Sequence, residues 1–199
     1  MAYLLGLTGS VGMGKSTTAQ LFAEAGVPVW DADAAVHRLY AAGGAGVAAV
    51  AELTPEAVVD GAVDRGRLRA AVERDATLLP RLEARIHPLV AADRAAFLAD
   101  HAGAPLLLFD IPLLFETGAD AWLDAVLVVS APAEVQRARV LARPGMTEEM
   151  LGRILARQMP DAEKRARADH LIETHRGVTA ARDDVLALIE RLRREAIDA

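Results

Sequence analysis

The chain has 199 residues, a formal net charge of −6 and no cysteine. Its length predicts one domain with insertions, its acidity argues against a general nucleic-acid binder, and the missing thiols exclude disulfides and thiolate chemistry. No apolar run has the length of a membrane span and the N-terminus lacks a basic segment, so the expectation is a cytoplasmic protein without membrane span or signal peptide.

Tyr3-Leu4-Leu5-Gly6-Leu7 reads as a short strand. Next comes Gly9-Ser10-Val11-Gly12-Met13-Gly14-Lys15-Ser16, which fits the phosphate-binding loop pattern of two glycines around four residues, then Lys and Ser. Thr17 to Ala25 reads as a helix closed by Gly26. Glycines let the backbone wrap an anion with its N–H groups inward, and the helix start adds a favourable dipole. Lys15 can reach the outer phosphates and the Ser16 hydroxyl can bind Mg²⁺. The alternative is a glycine-rich turn with a chance Lys-Ser. Composition weighs against it: of 22 Lys plus Arg only Lys15 and Lys164 are lysine. A compact ammonium fits among phosphates and amides where a guanidinium does so poorly.

Val27-Pro28-Val29-Trp30 reads as a second strand ending in Asp31-Ala32-Asp33, and Ala34 to Ala42 as a helix broken by Gly43-Gly44. Val47 to Leu53 is a short helical piece, Asp60-Gly61 a turn, and Asp64-Arg65-Gly66-Arg67-Leu68 a helix start. Residues 75 to 99 read as helix with breaks near Pro80 and Pro88. Ala104 to Phe109 and Ala125 to Val129 are continuous apolar runs, as expected of strands covered on both faces. Ala133 to Ala142 is an arginine-rich helix, Thr147 caps another, Pro160 to Arg167 is polar, His170 to Glu173 is a fifth strand, and Val178 to Arg194 is the closing helix. The long stretch between Ala34 and Asp100 carries no strand of its own.

Strands alternating with helices predict an α/β fold, a parallel five-stranded sheet with helices on both faces. Ligands bind such sheets beyond the carboxyl ends of the strands, where the glycine loop, Asp31, Asp33 and Asp110 all fall. If the chain is extended at Asp31 and Asp33, both carboxylates point one way, one taking a proton from a hydroxyl while the other orients ligand or metal-bound water. Alternatively Asp33 is the N-cap of the next helix. Asp110 suits a role on Mg²⁺-bound water, or a cap. Arg139 and Arg143 share a helix face suited to clamping phosphates, although exposed arginines are commonly only solvated. Arg143 borders Pro144-Gly145, a hinge signal. His87 has no metal-ligand spacing to another histidine and reads as a packed, hydrogen-bonded residue, the alternative being a catalytic one.

Together these stretches resemble the dephospho-CoA kinase family. The matching pieces are Leu7-Thr8-Gly9 through Gly14-Lys15-Ser16-Thr17, Asp31-Ala32-Asp33, Asp64-Arg65 with Leu68, and Ile86-His87-Pro88. Further on come Asp110-Ile111-Pro112-Leu113-Leu114-Phe115-Glu116, Gln136 with Arg139 and Arg143, Arg153-Ile154 with Gln158, and Ala168-Asp169-His170-Leu171-Ile172. The resemblance implies ATP- and Mg²⁺-dependent phosphorylation of the ribose 3′-hydroxyl of dephospho-CoA to give CoA and ADP, the last step of CoA biosynthesis. It implies a P-loop NTPase core of residues 1–33, 104–136 and 168–199, a helical acceptor-binding insertion of 34–103, and a lid of 137–167. Lys15, Asp33 and Arg143 become catalytic. Gly9, Gly12, Met13, Gly14, Lys15, Ser16, Thr17 and Arg139 bind nucleotide, and Ser16 and Asp110 serve its Mg²⁺. Asp31, Asp33, Arg65, His87, Pro88 and Leu113 fall to the acceptor. Partners are dephospho-CoA and ATP, with no nucleic acid or membrane, and the chain a monomer or small homo-oligomer. Two departures stand out. The family's usual Asn after the last strand is Thr174 here, and its Arg-Asp-Gly at the lid entrance is Arg143-Pro144-Gly145.

Two other readings use the same loop. One is a kinase for a different small hydroxyl or nucleotide acceptor. The other is a nucleotide-dependent switch, but the chain contains no asparagine and so lacks the Asn-Lys-x-Asp guanine-recognition motif.

Overall fold

The computed structural model describes residues 2–198, with side chains for 2–194. In chain order, β1 (Tyr3–Thr8) leads through the glycine loop into α1 (Lys15–Glu24), β2 (Val29–Asp31) and α2 (Ala32–Tyr40). Then come α3 (Gly46–Leu53), two-residue strands β3 (Val58–Val59) and β4 (Ala62–Val63), α4 (Arg65–Arg74) and α5 (Leu78–Asp100). The alternating pattern resumes with β5 (Leu106–Asp110), β6 (Ala125–Ser130), α6 (Ala133–Leu141), α7 (Glu148–Leu155), α8 (Asp161–Arg167), β7 (His170–Glu173) and α9 (Val178–Asp198). Two compact units result, residues 1–30 with 101–199, and Asp31–Asp100.

In the first unit one 5-stranded sheet runs in the order β2-β5-β1-β6-β7, with β1 parallel to β5 and β6, and β6 parallel to β7. The connections leave β1 toward one edge and later return to build the other. The crevice that such a reversal opens therefore lies at the carboxyl end of β1. The register pairs Leu7 with Asp110 and Thr8 with Val128, so β1, β5 and β6 end close to the glycine loop.

The apolar runs are continuous because both faces are covered. On one face Leu5, Leu7, Leu106, Leu108, Leu127 and Val129 pack with Phe22 of α1 and Val185, Leu188 and Leu192 of α9. Each such side chain contributes about 1.5–3 kcal/mol by leaving water. Phe109 stands between Trp30 and Trp122, its ring centroid 6.0 Å and 5.0 Å from theirs. Two aspartates fix the register where strands begin. Asp124 accepts the Leu4 N–H at 2.7 Å and donates its own to the Leu4 carbonyl at 2.9 Å. Asp169 does the same with Val126, at 2.8 and 3.0 Å.

The second unit has its own core of Leu39, Val50, Ala57, Val63, Ala71, Leu78, Leu82 and Ile86. Three expectations need correction here. The unit does contain strands: β3 and β4 pair antiparallel around Asp60-Gly61, with φ of 49° and 75°, the left-handed pair that a tight hairpin turn requires. α5 is not interrupted by its prolines. Pro80 sits in the first turn, where no intrahelical N–H bond is lost, and the Ala84 carbonyl that Pro88 leaves without a helical partner belongs to an exposed residue. Finally, β2 stops at Asp31 and α2 starts at Ala32, so Asp31 and Asp33 do not share an extended segment. Among the described residues no helix is long and apolar enough to cross a membrane.

Candidate active site

Gly9 to Gly14 bridge the end of β1 and the start of α1. Gly14 is the N-cap of α1 in a left-handed conformation, φ 90°, which an L side chain rarely adopts. At Gly9 the backbone passes so close to β6 that a Cβ would stand 2.6 Å from Val129 Cγ2 and 2.7 Å from its carbonyl oxygen. The glycines are thus demanded by geometry on the sheet side as well as at the helix start.

The loop is held by its carbonyls. Gln136 Nε2 donates to the Val11 carbonyl at 2.8 Å, Arg139 Nη1 to the Gly12 carbonyl at 3.3 Å, and Thr174 Oγ1 to the Met13 carbonyl at 2.8 Å. In a trans peptide the N–H points opposite to the C=O. Pulling these oxygens outward therefore turns the Gly12 and Gly14 N–H groups to the other side of the ribbon, where an anion would meet them and the start of α1. Met13 contributes differently. Its N–H closes a turn onto the Ser10 carbonyl at 3.1 Å, and its buried sulfur accepts the Ala131 N–H at 3.1 Å. Gln158 Oε1 accepts the Val11 N–H at 3.1 Å.

Arg139 sits behind the loop. Besides Gly12, its guanidinium donates to Thr174 Oγ1 and to the Thr174 carbonyl, both at 2.8 Å. The Thr174 hydroxyl therefore accepts from Arg139 while it donates to Met13. Composition could not reveal this clamp; only the spacing of Gln136, Arg139 and Thr174 around the loop does.

Lys15, the first residue of α1, places its ammonium 2.6 Å from Asp110 Oδ1 at the end of β5. Ser16 and Thr17 are exposed on the first turn of α1, and Asp110 is buried. Thr8 Oγ1 donates to the Pro112 carbonyl at 3.0 Å, tying the segment after Asp110 back to β1. Leu113 on that segment is exposed.

Within residues 137–167, Arg143 lies just past α6 rather than on the same helical face as Arg139. The Met146 N–H bonds back to the Arg143 carbonyl at 3.2 Å, with Pro144 and Gly145 (φ 74°) between them. Proline followed by a positive-φ glycine is the pattern of a tight type II turn, so the departure from Arg-Asp-Gly is suited to its place. α7 begins at the Thr147 cap, whose Oγ1 accepts the Met150 N–H at 3.2 Å. α8 is docked on the core. Lys164 is fully buried and its Nζ lies 2.9 Å from Glu116 Oε1, while Arg167 stacks 4.3 Å from the Phe115 ring centroid. Burial alone would raise the Glu116 carboxyl. The Lys164 and Met159 hydrogen bonds outweigh it and hold the group below the usual carboxylate range.

The second unit carries the other candidates. Asp31 caps α2, its Oδ1 accepting the Ala34 N–H at 2.9 Å, and Asp33 is exposed in the first turn. Asp33 is therefore not the cap. Arg65 opens α4 and is exposed, and its charge partly offsets the burial that raises the Tyr40 hydroxyl. His87, expected as a packed residue, lies instead with Pro88 on the exposed side of α5, whose buried residues are Leu78, Leu82 and Ile86. Among the described residues no three His, Asp or Glu side chains gather to hold a metal ion.

Comparison with known proteins agrees with this geometry. The family model described as dephospho-CoA kinase matches residues 3–179. The dephospho-CoA kinase of Cereibacter sphaeroides is 65% identical over 194 residues, covering 98% of each chain. A crystal structure of a Thermus thermophilus protein superposes with a TM-score of 0.84 at 37% identity, covering 96% of this chain and 97% of that one. The dephospho-CoA kinase from Campylobacter jejuni, 22% identical, shares the fold with a TM-score of 0.73 over 98% of this chain and 99% of its own. With a family match over nearly the whole sequence and a phosphate loop built as its residues require, the chain belongs to the dephospho-CoA kinase family.

Proposed function

We propose that the chain transfers the terminal phosphoryl group of ATP to the ribose 3′-hydroxyl of dephospho-CoA, with Asp33 as base and the glycine loop as phosphate site. The activity is that of the family and completes CoA biosynthesis. The acceptor oxygen attacks the γ-phosphorus, the bond to the β,γ-bridging oxygen breaks, ADP leaves, and the hydroxyl proton passes to the Asp33 carboxylate. The observation that carries the reading is Lys15, whose ammonium stands at the loop's end 2.6 Å from Asp110.

Lys15 stabilises charge on the transferring group, and Arg143, carried on the turn after α6, adds a second cation there. Arg139 acts on the nucleotide through the loop, since its guanidinium is engaged with Gly12 and Thr174. The Ser16 hydroxyl and the Asp110 carboxylate are hard oxygen donors that would hold the nucleotide's Mg²⁺, and the ion would supply charge neutralisation at the phosphates. Asp31, Arg65, His87, Pro88 and Leu113 serve the acceptor. Residues 34–103 are its binding region and 137–167 the lid. A cytoplasmic location suits an enzyme whose donor is ATP.

The test is an acceptor panel with Mg-ATP, scored for ADP release and for the position of the new phosphate. Dephospho-CoA should be converted to CoA. Phosphorylation of nucleoside monophosphates with none of dephospho-CoA would overturn the assignment.

A further inference from the structure

The chain uses arginine almost everywhere, yet its second lysine, Lys164, is on α8 and wholly buried. Its Nζ lies 2.9 Å from Glu116 Oε1 and 3.2 Å from Oε2, and Glu116 Oε1 also accepts the Met159 N–H at 2.8 Å. Burying an ammonium is costly unless it is paired and hydrogen-bonded, and a simple structural strut would be as well made by two apolar side chains. What distinguishes this pair is where its ends are attached. Glu116 closes the segment that starts at Asp110, and that segment is already held at its other end by Lys15 on Asp110 and by Thr8 on the Pro112 carbonyl. Between the two fixed ends lie Pro112 and the exposed Leu113.

The geometry points to Lys164 and Glu116 as positioning residues for the acceptor: the pair fixes the far end of residues 111–116, so that Leu113 and its backbone are presented in one conformation. This rests on the reading of dephospho-CoA as acceptor. A bidentate ammonium–carboxylate contact, with Met159 as a third point, sets both direction and distance, which apolar packing does less sharply. The loop that binds ATP is held by Gln136, Arg139 and Thr174, none of which bonds to Lys164 or Glu116, while Gln158, beside Met159, meets the loop at one bond, from the Val11 N–H. Loss of the pair should therefore separate the two substrates.

The experiment compares Glu116→Gln, Lys164→Met and the double variant Lys164→Met/Glu116→Leu with the unaltered chain, by steady-state kinetics and by ATP titration without acceptor. In every variant that folds, the KM for dephospho-CoA should rise about ten-fold or more while the Kd for ATP stays within about two-fold, a split that general loosening would not produce. Should the single variants fail to fold, Glu116→Gln because the buried Lys164 ammonium is left without its carboxylate, the double variant carries the test, since an ion pair replaced by apolar groups commonly keeps its stability. An acceptor KM within two-fold of the unaltered chain overturns the inference, as does an ATP Kd weakened as much as the acceptor KM. Failure of the unaltered chain to use dephospho-CoA at all would instead overturn the acceptor assignment.

Discussion

Asp31 Oδ1 accepts the backbone N–H of Ala34 at 2.9 Å, so the first of the two aspartates caps α2 and the second does not. This separates the two carboxylates structurally. Asp33→Asn should leave the melting temperature nearly unchanged, because the cap is intact, and should lower turnover by about two or more orders of magnitude through loss of a base. Asp31→Ala should cost about 1 kcal/mol of stability, and Asp31→Asn much less. Urea denaturation and single-turnover kinetics on these variants check both. An active Asp33→Asn enzyme would remove Asp33 from the base role.

Thr174 and the glycine loop form the second prediction. Thr174→Val keeps shape but deletes the hydroxyl that meets Met13 and Arg139, leaving a buried carbonyl without its donor. Stability should fall by about 1–3 kcal/mol, and ATP should bind roughly ten-fold more weakly because the loop amides are no longer aimed. Thr174→Ser should restore both. Calorimetric ATP titration decides the matter: an unchanged affinity in Thr174→Val would mean that the loop keeps its shape without the clamp.

A pH dependence follows from Glu116, whose carboxyl is held below its ordinary value by Lys164 and Met159 against the opposing effect of burial. The folded pKa lies under the unfolded one, near 4.3, so this contribution is fully present above that value and is lost as pH falls through the folded pKa. The stability difference between the unaltered chain and Glu116→Gln should therefore be largest near neutrality and shrink below about pH 4. Chemical denaturation across pH 3 to 7 reads it, and a pH-independent difference would contradict it.

The core was legible because its signals are local and strong. Leu106 to Phe109 and Ala125 to Val129 admit no half-exposed strand, and the loop glycines leave little choice of backbone. Other features depend on tertiary context. In β3 and β4 the strands are two residues each, too short for alternation, and only Asp60-Gly61 marked the turn. Asp31 and Asp33 are chemically alike as caps, so the end of β2 decides between them. Pro80 and Pro88 read as breaks until the helix start and the exposed side of α5 are known. The burial of Lys164 was hidden within a short, highly charged helix, where no periodicity distinguishes the inward residue. Its one visible sign was its rarity.

That rarity has a practical side. One side-chain amine is sealed in the core, and the other, 17% exposed, lies against Asp110. An amine-directed label or acyl donor therefore has a single accessible lysine on the folded chain, the one at the phosphate loop. Modification of that lysine, read apart from the α-amine, becomes a report on occupancy of that loop, with no background from a lysine-rich surface.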